Sequence, residues 1–434
     1  MAAPPTVYAI DFGTSNSLLA AASSEQAFAP IPLDPSATDP TILRSILYFP
    51  DAQHAYVGDE ALALYVESGQ EGRLIRSLKR HLPSRGFRGT TIAGRPMLVE
   101  DLVAVILRTM RKRANDHFGT DVRRVVLGRP ARFSADDGDD DFAEQRLRSA
   151  AERAGFEDVH FLPEPVAAAR DFRQAFSRDS GRESGDAVKG TVLVCDFGGG
   201  TSDFTVMRLG DAVFERGDVL AIGGVPLAGD ALDASIMRGH VAKNFGADVA
   251  YRVPWGSNVL QMPLPIVEQL CSPAHLSILR RPEIAEFLRN VRSWSLSETD
   301  KVKLDQLATL VDDALGFQLF EAIERAKRTL SSADQADVDF VYPSIDVHER
   351  VTRAAFEACA ERSVDGILHC LDETLARSGV SAAGIDVVCC TGGTARVPRL
   401  AAGIESRFGH AKMQQFRHFH SVVQGLAQHA REIA

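Results

Sequence analysis

The 434-residue chain contains no run of the 18–20 or so apolar residues that a helix needs to span a bilayer. Its start, Met1-Ala2-Ala3-Pro4-Pro5, lacks the basic segment and apolar stretch of a secretory leader. The six cysteines, at 195, 271, 359, 370, 389 and 390, form no C-x-x-C pair, which argues against a disulfide framework or a cysteine metal site. Cys195 and the Cys389-Cys390 pair lie in apolar, strand-like runs, where a thiol serves as a small core side chain. Neither G-x-x-x-x-G-K-S/T nor G-x-G-x-x-G occurs, so a P-loop and a dinucleotide fingerprint are both excluded, and H-E-x-x-H is missing too. The acidic run Asp136-Asp137-Gly138-Asp139-Asp140-Asp141 lacks EF-hand spacing. It reads as an exposed loop entering a helix, where negative charge meets the positive end of the helix dipole. A net charge of −10 speaks against general nucleic-acid binding, which rests on Lys and Arg. Together these absences describe a cytoplasmic protein in a reducing compartment, with no nucleic-acid or membrane partner.

What the sequence does hold is ordinary folded-protein composition and a weak internal repeat. With 45% hydrophobic and 24% charged residues, a chain this long exceeds one core and is expected to form two or more packed units. Val7-Tyr8-Ala9-Ile10-Asp11-Phe12-Gly13-Thr14-Ser15-Asn16-Ser17 reads as strand, tight polar turn, strand. Val192-Leu193-Val194-Cys195-Asp196-Phe197-Gly198-Gly199-Gly200-Thr201-Ser202-Asp203 repeats the pattern about 190 residues later. Such a repeat suggests two similar lobes. Apolar spacing predicts helices over about 102–114, 142–154 and 315–330, an Ala-rich helix start after Pro163-Glu164-Pro165, and strands at 124–127 and 385–390. The alternation makes the chain α/β. The polar stretch 177–186 is expected to be a surface loop at the lobe boundary.

Either Asp-Phe-Gly turn alone could be an ordinary hairpin. Their double occurrence, with Asp and Thr read as equivalent in both, favours phosphate binding. Glycine leaves nothing between backbone and ligand, so successive N–H groups at Gly13 and Gly198 to Gly200 can converge on phosphate oxygens. Thr14 and Thr201 add hydroxyls. Carboxylates such as Asp11 and Asp196 beside a phosphate nest call for a cation between them, and Mg²⁺ is the natural one.

These stretches resemble the DnaK-type heat-shock ATPases. Residues 9–17 are similar to the family's first phosphate motif and residues 194–203 to its second. Pro163-Glu164-Pro165-Val166-Ala167-Ala168-Ala169 resembles the first connecting motif, and Thr391-Gly392-Gly393-Thr394-Ala395-Arg396-Val397-Pro398 the adenosine motif. Glu324-Arg325-Ala326-Lys327-Arg328-Thr329-Leu330-Ser331-Ser332 is the most specific match, and all five keep the family order across nearly the whole chain.

The resemblance implies an actin-like ATPase fold with two similar lobes around a central nucleotide cleft. Lobe I would cover 1–187 (subdomain IB about 41–115, completed by about 410–434) and lobe II 188–409 (subdomain IIB about 229–350). Asp11, Asp196 and Asp203 would surround Mg²⁺ and its waters, with Gly13, Thr14, Ser15, Gly198, Gly199, Gly200 and Thr201 at the phosphates. Lys79 falls where the family keeps a lysine beside the γ-phosphate, although a solvated lysine on a basic segment with Arg73, Arg76 and Arg80 is the plainer reading. Glu164 takes the place of a water-positioning carboxylate, and Asp196 and Thr201 join Lys79 and Glu164 in the catalytic set. Gly229, Glu324, Lys327, Arg328, Ser331, Gly392, Gly393 and Arg396 would bind the rest of ATP or ADP. Residues 324, 327, 328 and 331 share one helical face, so Arg328 could stack on adenine while Glu324 and Lys327 bond the ribose. Pro130 matches the family's switch proline. Arg146 lies about two residues from the place of the family's relay arginine.

Some features depart from the family. The chain ends just after the ATPase's closing helix, so no peptide-binding domain is expected. Residues 246–322 differ from standard members and resemble the shorter YegD-like branch, and Phe419-His420-Ser421 replaces an acidic position. The expected activity is slow, Mg²⁺-dependent ATP hydrolysis that drives lobe opening and closing in a monomer with an unidentified protein partner or client. An ATP-dependent binding module without turnover, an actin-like filament former and a sugar kinase are the alternatives.

Overall fold

The computed structural model describes residues 3–68, 71–130, 132–133, 136–179, 190–209, 218–272, 275–313, 315–415 and 420–434. The chain divides into two compact units. The first holds Met1–Gly224, Cys370–Gly392 and Glu405–Ala434; the second holds Val225–His369 and Gly393–Ile404.

The first unit contains two sheets of matching topology. In one, the order is Asp158–Pro163, Arg124–Arg129, Val7–Phe12, Asn16–Ala22, Ala27–Phe28, with Leu43–Arg44 also on the fourth strand. In the other it is Met413–Gln415, Val387–Thr391, Gly190–Phe197, Ser202–Leu209, Val219–Val225. Each is built on an antiparallel hairpin whose first strand has a parallel neighbour from later in the chain. The parallel partner explains the near-continuous apolar runs at Val125-Val126-Leu127 and Val388-Cys389-Cys390, since strands covered on both faces do not alternate.

One core lies across both sheets. It joins Val7, Ala9 and Val126 of the first sheet to Val192, Val194, Met207 and Cys389 of the second, through Val166 to Ala169 and the closing helix Ser421–Glu432. That helix crosses Glu164–Asp179 so closely that a β-carbon on Gly425 would overlap the Ala167 carbonyl. Gly425→Ala should therefore cost about 1–3 kcal/mol by forcing two helices apart. The check is thermal unfolding; an unchanged midpoint would show that the crossing is looser than drawn.

The expected helices form at Val99–Phe118, Asp137–Arg153 and Gly316–Leu330, and the expected strands at Arg124–Arg129 and Val387–Thr391. Asp136 caps the second of these helices, its carboxylate accepting from the Asp139 N–H at 3.0 Å, so the acidic run does open a helix. Of the polar stretch 177–186, residues 177–179 finish the helix Glu164–Asp179, and 180–186 lie outside the described residues. Phe419 also lies outside them. All six cysteines are free, with Cys195, Cys389 and Cys390 buried in strands. No helix among the described residues is long and apolar enough to cross a membrane.

The second unit is mainly helical. It contains Leu264–Leu270, Pro282–Trp294, Glu298–Asp312 and Gly316–Leu330, and the hairpin Gln335–Tyr342 with Ile345–Thr352. On Gly316–Leu330, buried Leu319, Ile323, Ala326 and Leu330 form the inward stripe that the spacing predicts.

Candidate functional site

The two hairpins of the first unit end in turns of equal length. Phe12 pairs with Ser17 and Phe197 with Ser202, so Asp11 and Asp196 occupy the same place, one residue before the strand end. The register corrects one expectation: Thr14 and Thr201 are not equivalent. Counting from the paired phenylalanines, Thr14 matches Gly199, and Thr201 matches Asn16. Nor is the carboxylate set symmetric, because Asp203 faces Asp196 whereas Asp11 faces Leu18. Sequence alignment by the Asp-Phe-Gly triplets alone could not separate these places from a two-residue slip of the threonines.

Five charged side chains from distant stretches gather in this unit. The Lys79 ammonium donates to Glu164 Oε1 at 2.6 Å, with both side chains about nine-tenths removed from solvent. Burial drives the Asp11 carboxyl up to about 8, and the negative charges of Glu164 and Asp196 add to this while Lys79 opposes it. Asp203 rises to about 7 for the same first reason, with Asp196 adding to it and a hydrogen bond from Thr201 opposing it. Glu164 is raised by burial against the pull of Lys79. Burial disfavours the Lys79 charge, but Glu164 and Asp11 outweigh it and raise its pKa. One cation is thus set among four acids, a surplus of acid groups, and burial pushes Asp11, Glu164 and Asp203 toward their protonated forms. The solvated-lysine reading of Lys79 does not hold.

A magnesium ion fits this surplus. Among the described residues, no three His, Cys, Asp or Glu side chains close on one point as a ready-made ligand cage. Asp11, Asp196 and Asp203 would therefore hold Mg²⁺ largely through water, which is how that ion is usually bound. Gly13 is demanded by the turn itself, since a β-carbon there would overlap the Asn16 carbonyl.

Several supporting residues escaped the sequence reading. Thr391 Oγ1 donates to Asp196 Oδ1 at 2.6 Å, fixing that carboxylate from the neighbouring parallel strand. Ser45 Oγ donates to the Gly13 carbonyl at 2.8 Å, and the Ser45 N–H donates to the Ser15 carbonyl at 2.8 Å, so the first turn is held from outside. Gly224 leaves room for the Asp203 carboxylate. Thr391 was visible as the residue before Gly392-Gly393; Ser45 carried no signal at all. Gly392, at φ +85°, has its own structural demand, because a β-carbon there would overlap the Phe197 carbonyl. Pro130 follows the strand Arg124–Arg129 directly. Arg146 is buried and donates to Glu100 Oε1 at 2.9 Å and to the carbonyls of His81, Leu82, Ser84, Phe87 and Arg88. Its observable task is to staple the segment that follows Lys79.

In the second unit, the helix Gly316–Leu330 brings Lys327 to Gly229. Lys327 is buried, donating to the Gly229 carbonyl at 3.1 Å and pairing with Asp233 at 2.8 Å. Burial raises Asp233 to about 7 despite that pair, with Glu324 adding to the rise. Glu324 is half-buried and Arg328 exposed, so the shared face turns inward at Lys327. Ser331 caps the helix end, its hydroxyl donating to the Lys327 carbonyl at 3.3 Å. Gly393 and Arg396 begin and end an exposed 3₁₀ turn around buried Thr394.

A family model described as "Hsp70 protein" matches residues 84–254 and 296–431. The chain is 25% identical to the protein named "Chaperone protein DnaK" of Thermosipho melanesiensis, across 99% of this chain and 59% of that one. It is also 25% identical to the protein of the same name of Thermosipho africanus, across 93% of this chain and 55% of that one. The chain thus spans between half and three-fifths of the length of these curated relatives. With the family model covering well over half its residues, the doubled hairpin sheets are those of the actin-like ATPase fold, and the chain belongs to the Hsp70 family.

Proposed function

We propose that this chain binds ATP with Mg²⁺ and hydrolyses it slowly, using the cycle to open and close two lobes in a chaperone-like or regulatory protein. The observation that carries the reading is the buried Lys79–Glu164 pair beside Asp11, Asp196 and Asp203. Burying such a cluster is costly, and groups shifted by burial and by one another gather preferentially at functional sites. Phosphoryl transfer consists mostly of positioning and charge neutralisation, which such a cluster supplies.

In this reading Gly13, Thr14, Ser15, Gly198, Gly199, Gly200 and Thr201 hold phosphate oxygens, and Asp11, Asp196 and Asp203 hold the cation's water shell. Mg²⁺, when bound, neutralises phosphate charge. Lys79 faces the terminal phosphate, and Glu164 or Asp196 accepts a proton from the attacking water and orients it. Thr391 keeps Asp196 an acceptor by donating to it. Because Glu164 is already engaged by Lys79, only part of its capacity is left for water, which favours slow turnover. Gly229, Glu324, Arg328, Ser331, Gly392, Gly393 and Arg396 are assigned to the adenosine end, with Lys327 supporting them by fixing the Gly229 turn. The matching sheets support the assignment of lobes to 1–187 and 188–409. The family model passes over 255–295, in keeping with a segment that departs from standard members, and the YegD-like branch is proposed on that departure in sequence. Client or partner binding is proposed by analogy with the named chaperones alone.

The test is ATP turnover together with ATP and ADP affinity for the wild type and for Asp196→Asn. The variant should retain nucleotide binding within about tenfold and lose most turnover. No detectable nucleotide binding by the wild type would end the proposal, and binding with negligible turnover in both would leave an ATP-gated binding module.

A further inference from the structure

Lys79 is not the only cation that its short turn delivers. The 3₁₀ turn Leu78–His81 is anchored by fully buried Leu78 and entered through Ser77, which sits in the left-handed region at φ 59° and ψ 34°. A non-glycine residue there is uncommon and persists only where its surroundings enforce it. The enforcement is visible on the far side, where Arg146 takes the carbonyls of His81, Leu82 and Ser84. From this fixed turn Lys79 reaches Glu164, and Arg80 reaches the glycine turn of the second hairpin.

At that turn the guanidinium of Arg80 lies against the bare α-carbon of Gly200. A β-carbon built on Gly200 would coincide with the Arg80 guanidinium nitrogens and Cζ. Gly200 itself is buried, while Arg80 is exposed. Gly200 thus does more than free the backbone: it leaves a flat seat for an arginine. Arginine suits such a seat, because its planar fork can lie on a surface and still present donors in its plane to phosphate oxygens.

We propose that Arg80 is the second cation of the phosphate site and contacts the terminal phosphate of ATP from the second hairpin, opposite Lys79. The inference rests on the nucleotide-binding reading above and specifies the charge balance of that site. A triphosphate carries more negative charge than Lys79 and one divalent ion neutralise, and the guanidinium at the Gly200 turn is a second cation delivered by the same short turn as Lys79. Arg80 supplies the missing positive charge without itself being buried among the acids.

The experiment measures equilibrium binding of fluorescently labelled ATP and ADP, each with Mg²⁺, to wild type, Arg80→Ala, Arg80→Lys, Gly200→Ala and the double variant. Arg80→Ala should weaken ATP by about ten- to a hundredfold, the loss of one hydrogen-bonded charge, and ADP by much less. Arg80→Lys should fall between, since charge is kept but the flat fit is lost. Gly200→Ala should reproduce the Arg80→Ala defect by unseating the guanidinium. In the double variant the two losses should not add, which marks a shared interaction. The melting temperature of each variant, measured without nucleotide, separates a binding role from a folding one. ATP affinity within twofold of wild type in Arg80→Ala overturns the proposal, as does tighter ATP binding, which would make Arg80 a plug. Equal losses for ATP and ADP overturn the assignment to the terminal phosphate. If wild type binds neither nucleotide, the proposed function falls and takes this inference with it.

Discussion

Lys79→Ala should lower phosphate release by about a hundredfold or more while leaving ATP binding measurable. The ammonium donates directly to Glu164, and Asp11 and Asp196 also lie within its field. On the proposed reading, removing it takes one counter-charge from the terminal phosphate and leaves the four acids without their ammonium. Breaking a buried pair from one side typically costs about 3–5 kcal/mol, so the variant should also melt earlier. The sign of its pH dependence is predictable. Without Lys79, Asp11 and Glu164 hold their protons still more firmly, so the melting deficit should be larger at pH 8 than at pH 6. Single-turnover phosphate release separates chemistry from folding, and Lys79→Gln, which keeps bulk and hydrogen bonding, serves as the milder companion. Turnover at the wild-type rate in either variant would remove Lys79 from the machinery.

The second large effect concerns protons released when magnesium nucleotide binds. Without ligand, Asp11 titrates at about 8 and Asp203 at about 7, both chiefly because they are buried. Unfolded, each would titrate near 3.9. A carboxyl whose folded pKa is raised stabilises the fold at low pH, and that contribution is lost as pH rises through 7 and 8. The protein should therefore lose stability progressively between about pH 4 and 8 as far as these two groups govern it. A bound cation favours the ionised carboxylates, so binding at pH 7 should expel roughly one proton. Calorimetry in two buffers of different ionisation enthalpy measures this count, and a count of zero would place both acids away from the cation. Correspondingly, Mg²⁺ with ADP should raise the melting temperature more at pH 8 than at pH 6.

Much of this was legible before any coordinates. Apolar runs and helical spacing located Val99–Phe118, Gly316–Leu330 and the paired strands, because those elements are decided locally by periodicity. The Asp-Phe-Gly turns marked the duplicated hairpins for the same reason. The register within each turn was not legible. Whether Thr14 matches Thr201 depends on which residues pair across the strands, and pairing is a tertiary property. The state of Lys327 was hidden too. Helical spacing put it on a face with Arg328, yet about 100° separates adjacent helix residues, enough to send one inward to Asp233 and leave the other outside. Ser45, through two hydrogen bonds, and Thr391, through one, act across the fold, and no local pattern advertises those contacts.

The first unit is discontinuous, and this orders events during synthesis. Its core gains the helix Ser421–Glu432 from the far end of the chain, against strands made hundreds of residues earlier. The ribosome therefore releases the helix bearing Glu164 long before the helix that packs against it has emerged. Until then Val7, Ala9 and Val126 lack part of their cover, and Glu164 sits on an unsupported helix. On the proposed function, a nascent chain should thus gain nucleotide affinity only after the helix Ser421–Glu432 has left the exit tunnel. Cutting the chain just before Ser421 should likewise prevent it, disabling a cluster whose own members all lie upstream of the cut.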